Sequence, residues 1–104
     1  MDRKELIKKL KEFKRKIDKK YRVNTIILFG SRSTDMFKKE SDVDLIIVGN
    51  FKGHNSLSRV PPLYAYWDID LPVDFLCYTT KEFERLKKRI SIVSEALKQG
   101  IIIQ

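Results

Sequence analysis

Asp42 and Asp44 sit one residue apart in the apolar run DVDLIIV of residues 42–48. In a strand, residues i and i+2 point to one face, about 6.5–7 Å apart. Carboxylates so placed repel, and each raises the other's pKa unless a cation lies between them. Hard divalent cations want such oxygen ligands, and Mg²⁺ takes one or two carboxylates together with phosphate oxygens. A third carboxylate, Asp74, lies in the run PVDFLCY of residues 72–78. If these two strands pair, all three carboxylates converge, and such a trio can hold two metals about 3.5–4 Å apart for in-line phosphoryl transfer. Gly30-Ser31 precedes Asp42 by twelve residues. Gly30 lets the backbone approach a ligand closely. Ser31 offers a hydroxyl and an N–H at the start of a predicted short helix over 31–37, which suits a phosphate. Arg32, Lys38 and Lys39 add positive charge. Anion-binding turn and metal-binding strand together describe a site for a nucleoside triphosphate with Mg²⁺.

Rigid elements must hold these residues. Leu6, Leu10, Phe13 and Ile17 recur at helical spacing, so residues 2–20 read as an amphipathic helix with a basic outer face. TIILF at 25–29 reads as a buried strand ended by Gly30. KKES is a polar turn before strand 42–48, which Gly49-Asn50 closes. Residues 51–62 read as loop, with a helical turn in SLSRV; LYAYW fits either helix or strand. Residues 72–78 form a third strand. Thr79 and Glu82 have capping-box spacing. Phe83, Leu86, Ile90, Val93 and Leu97 then continue a helix, with a break near Ser91 and Gly100 as C-cap. IIIQ adds a last short strand. The order gives an α/β (α+β) class: one domain over 1–104, with a small mixed sheet and helices packed on one face.

Gly30-Ser31, ten residues, then Asp42-Val43-Asp44 resembles the signature of the nucleotidyltransferase superfamily related to DNA polymerase beta. LFGSR followed by SDVDLIIV is most similar to the minimal nucleotidyltransferases of archaea and bacteria, and the ending EALKQGIII is also similar. The resemblance implies the nucleotidyltransferase fold and transfer of a nucleoside monophosphate, usually AMP from ATP, with Mg²⁺ as cofactor. It implies that Gly30, Ser31 and Arg32 hold the triphosphate and that Asp42 and Asp44 bind metal. Asp74 would complete the metal site and help deprotonate the acceptor hydroxyl. Many minimal members are antitoxins that modify a small helical partner of the HEPN type, some by adenylylating a tyrosine, and this implies such a partner here. The family's linker begins Gly-Ser-Arg-Ala-Arg-Gly. Here Thr34 replaces the second arginine and Asp35 the second glycine. That removes a phosphate contact and adds negative charge, so weakened nucleotide affinity is expected.

Composition frames the rivals. The charge is +8, and residues 1–22 hold eleven basic against four acidic residues. That excess favours an acidic or polyanionic partner. Two alternatives therefore stand beside the enzyme: a module that neutralises a HEPN-type partner by contact, and a basic nucleic-acid binder acting through helix 2–20. Self-association is compatible with either. Cys77 is the sole cysteine and reads as a buried thiol, which suits a reducing cytosol. MDRKELIKKL lacks a signal peptide's apolar core, no run reaches membrane-span length, and a cytoplasmic location is expected. Asp68, Asp70 and His54 read as solvated. Tyr64, Tyr66 and Trp67 read as packing groups rather than as a base platform.

Overall fold

The computed structural model describes residues 1–30, 42–53 and 55–104. The predicted helix at 31–37, the KKES turn and the solvated reading of His54 lie outside the described residues.

Helix α1 spans Arg3–Tyr21. Asp2 caps its start, accepting the Glu5 N–H at 2.8 Å. Arg22, at φ 51°, closes it by donating its N–H to Asp18 O. The expected stripe of Leu6, Leu10, Phe13 and Ile17 is fully buried. Each such side chain contributes about 1.5–3 kcal/mol on leaving water, well above any propensity gain in a Lys-rich helix.

Strand β1 spans Thr25–Phe29, β2 Val43–Val48, β3 Val73–Tyr78 and β4 Ile101–Ile103. Their spatial order is β3-β2-β1-β4. β1 pairs antiparallel with β2 and β4, whereas β2 and β3 run parallel. A parallel pair needs a crossover of a dozen or more residues. Residues 49–72 supply it, carrying the short helix α2 (Ser56–Arg59) and a 3-10 helix (Pro61–Tyr66). The segment read as loop at 51–62 thus contains α2, and the SLSRV turn is real.

Helices α3 (Thr80–Leu86) and α4 (Ile92–Gln99) follow β3. Thr79 and Glu82 form the predicted capping box. The predicted break falls at Ser91, which caps α4 by accepting the Ser94 N–H at 3.1 Å. Ile90, expected on the apolar stripe, is 97% exposed because it lies in the turn between the two helices. Gly100 is the C-cap, but in extended rather than left-handed backbone. Its need is space: a Cβ there would lie 2.5 Å from Ala96 O and 2.8 Å from both Ile27 Cγ2 and Leu28 O.

The sheet is covered on both faces, not one. Ile26, Leu28, Val43, Leu45, Ile47 and Phe75 pack in one cluster with the α1 stripe. Ile27, Ile46 and Val48 pack in a second cluster with Phe83 of α3 and Val93 and Ala96 of α4. Continuous apolar strands such as TIILF bury both faces. Trp67 stands edge-on to Phe13 and Phe75, and its Nε1 donates to Leu71 O, so it packs as expected. Tyr64 meets Phe75 edge-on as well. Burial pushes the Cys77 thiol up to about 12, as befits an inert core group. Asp68 is exposed and takes a proton donor from Lys16, which holds its carboxyl below the usual range. Among the described residues no helix is long and apolar enough to cross a membrane.

Candidate active site

The pleat decides where the aspartates point. Val43, Leu45 and Ile47 bury themselves toward α1, so Asp44 projects with Ile46 and Val48 to the opposite face. On β3, Val73, Phe75 and Cys77 likewise face α1, which turns Asp74 to the Asp44 side. Asp44 and Asp74 are register partners across the parallel pair. Asp42, predicted as the first residue of strand 42–48, directly precedes β2 and lies one residue outside it, where Val43 N–H donates to Pro72 O. Asp42 and Asp74 are exposed and Asp44 is half-buried.

Phe29, the last residue of β1, stands opposite Asp44 in the antiparallel register. Gly30 follows at once, with φ +72°. A Cβ built there would lie 2.5 Å from Asp44 Oδ2. Glycine is therefore required twice, for its left-handed backbone and for the carboxylate against it. The β1 end, the β2 start and the β3 start thus meet at one end of the sheet.

The Asp44 carboxyl sits above the ordinary carboxylate range. Partial burial is the main cause, followed by the negative charges of Asp74 and Asp42. Among the described residues no group of three acidic, histidine or cysteine side chains is arranged to hold a metal ion. The donor chemistry nevertheless suits a hard cation, because Mg²⁺ needs only one or two protein carboxylates when phosphate oxygens complete its shell. The structure brings Asp42, Asp44, Asp74 and Gly30 to one place. Ser31 and Arg32, with Thr34 and Asp35, lie outside the described residues.

Sequence reasoning passed over Arg59. Its side chain is only 4% exposed. Its two terminal nitrogens grip Glu82 at 2.5 and 3.2 Å, and also donate to Cys77 O and Gly53 O. Ser56 Oγ accepts the Cys77 N–H at 2.9 Å. Through these bonds α2 covers the outer side of β3. A lone arginine in a polar segment carries no periodic signal that would have revealed this.

The four-stranded mixed sheet, with helices on both faces and paired carboxylates at one end, defines an α/β protein. The nucleotidyltransferase domain family matches residues 7–101, and the chain belongs to that family. Among solved structures it is similar to a provisionally assigned nucleotidyltransferase from Sulfolobus solfataricus, at 20% identity and a TM-score of 0.66. The alignment covers 96% of this chain and 80% of that one. At that identity the likeness shows the fold. No curated protein matches the sequence.

Proposed function

We infer that the chain, as one domain over 1–104, is a Mg²⁺-dependent nucleotidyltransferase that transfers AMP from ATP to a hydroxyl on a partner protein. The observation that carries this reading is the in-register pairing of Asp44 with Asp74 beside the cramped Gly30. Family membership supports nucleotidyl transfer as the chemistry.

In this reading Asp42, Asp44 and Asp74 hold the metal, and Gly30, Ser31 and Arg32 receive the triphosphate. Bound Mg²⁺ supplies charge neutralisation at the phosphate oxygens. Asp74, exposed on the edge strand, takes the proton of the acceptor hydroxyl. The acceptor oxygen bonds to the α-phosphorus in line, the bond to the β-phosphate oxygen breaks, and pyrophosphate leaves. Catalysis rests mainly on positioning and charge. The exposure of Asp42 and Asp74 supports a large acceptor. By family analogy it is a tyrosine of a small HEPN-type helical protein, with this chain as the antitoxin of the pair in the cytoplasm.

The test is pyrophosphate release from ATP and Mg²⁺ with the product of a neighbouring gene as acceptor. Release that persists in the double variant Asp42→Asn, Asp44→Asn overturns the site. A second reading, neutralisation by contact alone, draws on Thr34 and Asp35 in the linker. It predicts that the same double variant still silences the partner.

A further inference from the structure

A cleft of about 450 Å³ opens at the other end of the sheet. It lies where α1 ends and where the chain leaves β2, so Asn50 is about 20 Å along the strand from Asp44. Its walls include Lys20, Tyr21, Asn50, Lys52, Ser58 and Arg59, and none of its lining residues is acidic. Lys20, Asn50, Lys52 and Ser58 are exposed. The half-buried Tyr21 ring is braced by Phe51, with centroids 5.0 Å apart at 36°. Lys20 Nζ stands 5.5 Å from the Tyr21 ring centroid. Beneath, Arg59 has committed both terminal nitrogens, but its buried Nε has no hydrogen-bond partner among the described residues. A buried donor left unmatched is costly.

These features share one chemistry. The exposed ammonium groups of Lys20 and Lys52 favour a phosphate, and a braced aromatic face favours a planar ring. The amide of Asn50 offers a donor and an acceptor to a base edge. The volume exceeds what a phosphate fills and falls in the range of small-ligand sites. We propose that this cleft is a second site, which binds a nucleoside monophosphate with its phosphate between Lys20 and Lys52 and its base on Tyr21. The site uses none of the carboxylates and needs no metal.

The experiment titrates AMP, and separately inorganic phosphate, into the protein in EDTA, following backbone amides by NMR. Saturable AMP shifts are expected at Tyr21, Asn50, Lys52 and Ser58. They should persist in Asp44→Asn, with phosphate at least tenfold weaker. Lys20→Gln with Lys52→Gln should weaken AMP at least tenfold. Both lysines are solvent-exposed, and the unchanged spectrum of the free variant checks its fold. Three outcomes overturn the proposal: shifts centred on Gly30 and Asp44, equal affinity for AMP and phosphate, or undiminished binding in the double-lysine variant. Loss of transfer activity in Asp44→Asn with AMP still bound here separates this site from the proposed active site.

Discussion

Asp44 and Asp74 stand level with one another on adjacent parallel strands, although thirty positions separate them in the chain. The other neighbour of β2 brings no second carboxylate, because the β1 position facing Asp44 is Phe29, and β4 pairs with β1 rather than with β2. Replacing Asp44 by Asn should therefore lower pyrophosphate release by about 10²-fold or more while leaving the fold intact. A continuous assay, with circular dichroism on the same sample, reads both.

The same residue sets a pH dependence. Asp44 keeps its proton to a higher pH in the native protein than in the unfolded chain, where carboxyls titrate near 3.9. Between those two values the native state binds more protons, so stability falls as pH rises through that window. Thermal melts in EDTA should show this slope, and Asp44→Asn should flatten it and raise Tm near neutrality by about 1–3 °C. Adding Mg²⁺ with ATP should stabilise the wild type but not the variant.

Glu82 behaves in the opposite sense. The hydrogen bond from Arg59 chiefly holds its carboxyl below the usual range. Its stabilisation is complete above the unfolded value and disappears as pH falls through the native one. Glu82→Gln should remove this acid-side loss of stability from the melting profile. Arg59→Leu removes a buried cation that bonds three groups, and should cost about 3 kcal/mol in urea denaturation.

Gly30→Ala combines left-handed strain with a Cβ pressed against Asp44. The backbone term alone is about 1–2 kcal/mol. Because the carboxylate must move, transfer activity should fall further than the stability loss explains, which kcat measured well below Tm would show.

The linker offers a gain-of-function check. Thr34→Arg with Asp35→Gly restores the family's residues, and should tighten ATP binding by about tenfold through one charge-assisted contact and one charge removed. Fluorescent-nucleotide titration decides it, and unchanged affinity would show that the linker does not govern binding.

Much of the architecture was legible because it is local. The α1 stripe, the three apolar runs, the Thr79–Glu82 box and the break at Ser91 are each written within a few residues. Strand pairing is not local, so the register that sets Asp44 beside Asp74 was a condition in the sequence and a fact only in the fold. Cover on both faces was readable in principle, since TIILF has no polar position to offer solvent. Ile90 misled because a helical period continues by counting through a turn that the backbone does not continue. Arg59 was invisible for another reason: its burial depends on Glu82, Cys77 and Gly53 arriving from elsewhere in the chain.

Gly100 lets the end of α4 settle against Ile27 and Leu28, and β4 then pairs with β1 on the side away from β2. Gly30 directly follows that strand. On the ribosome, residues 25–78 could emerge with every candidate site residue already made. Yet β1 would still lack one of its two neighbours until residues 101–103 cleared the exit tunnel. The turn at Gly30 is thus written early in translation and set late, so a chain truncated before Gly100 should carry all its aspartates without a firm frame to hold them.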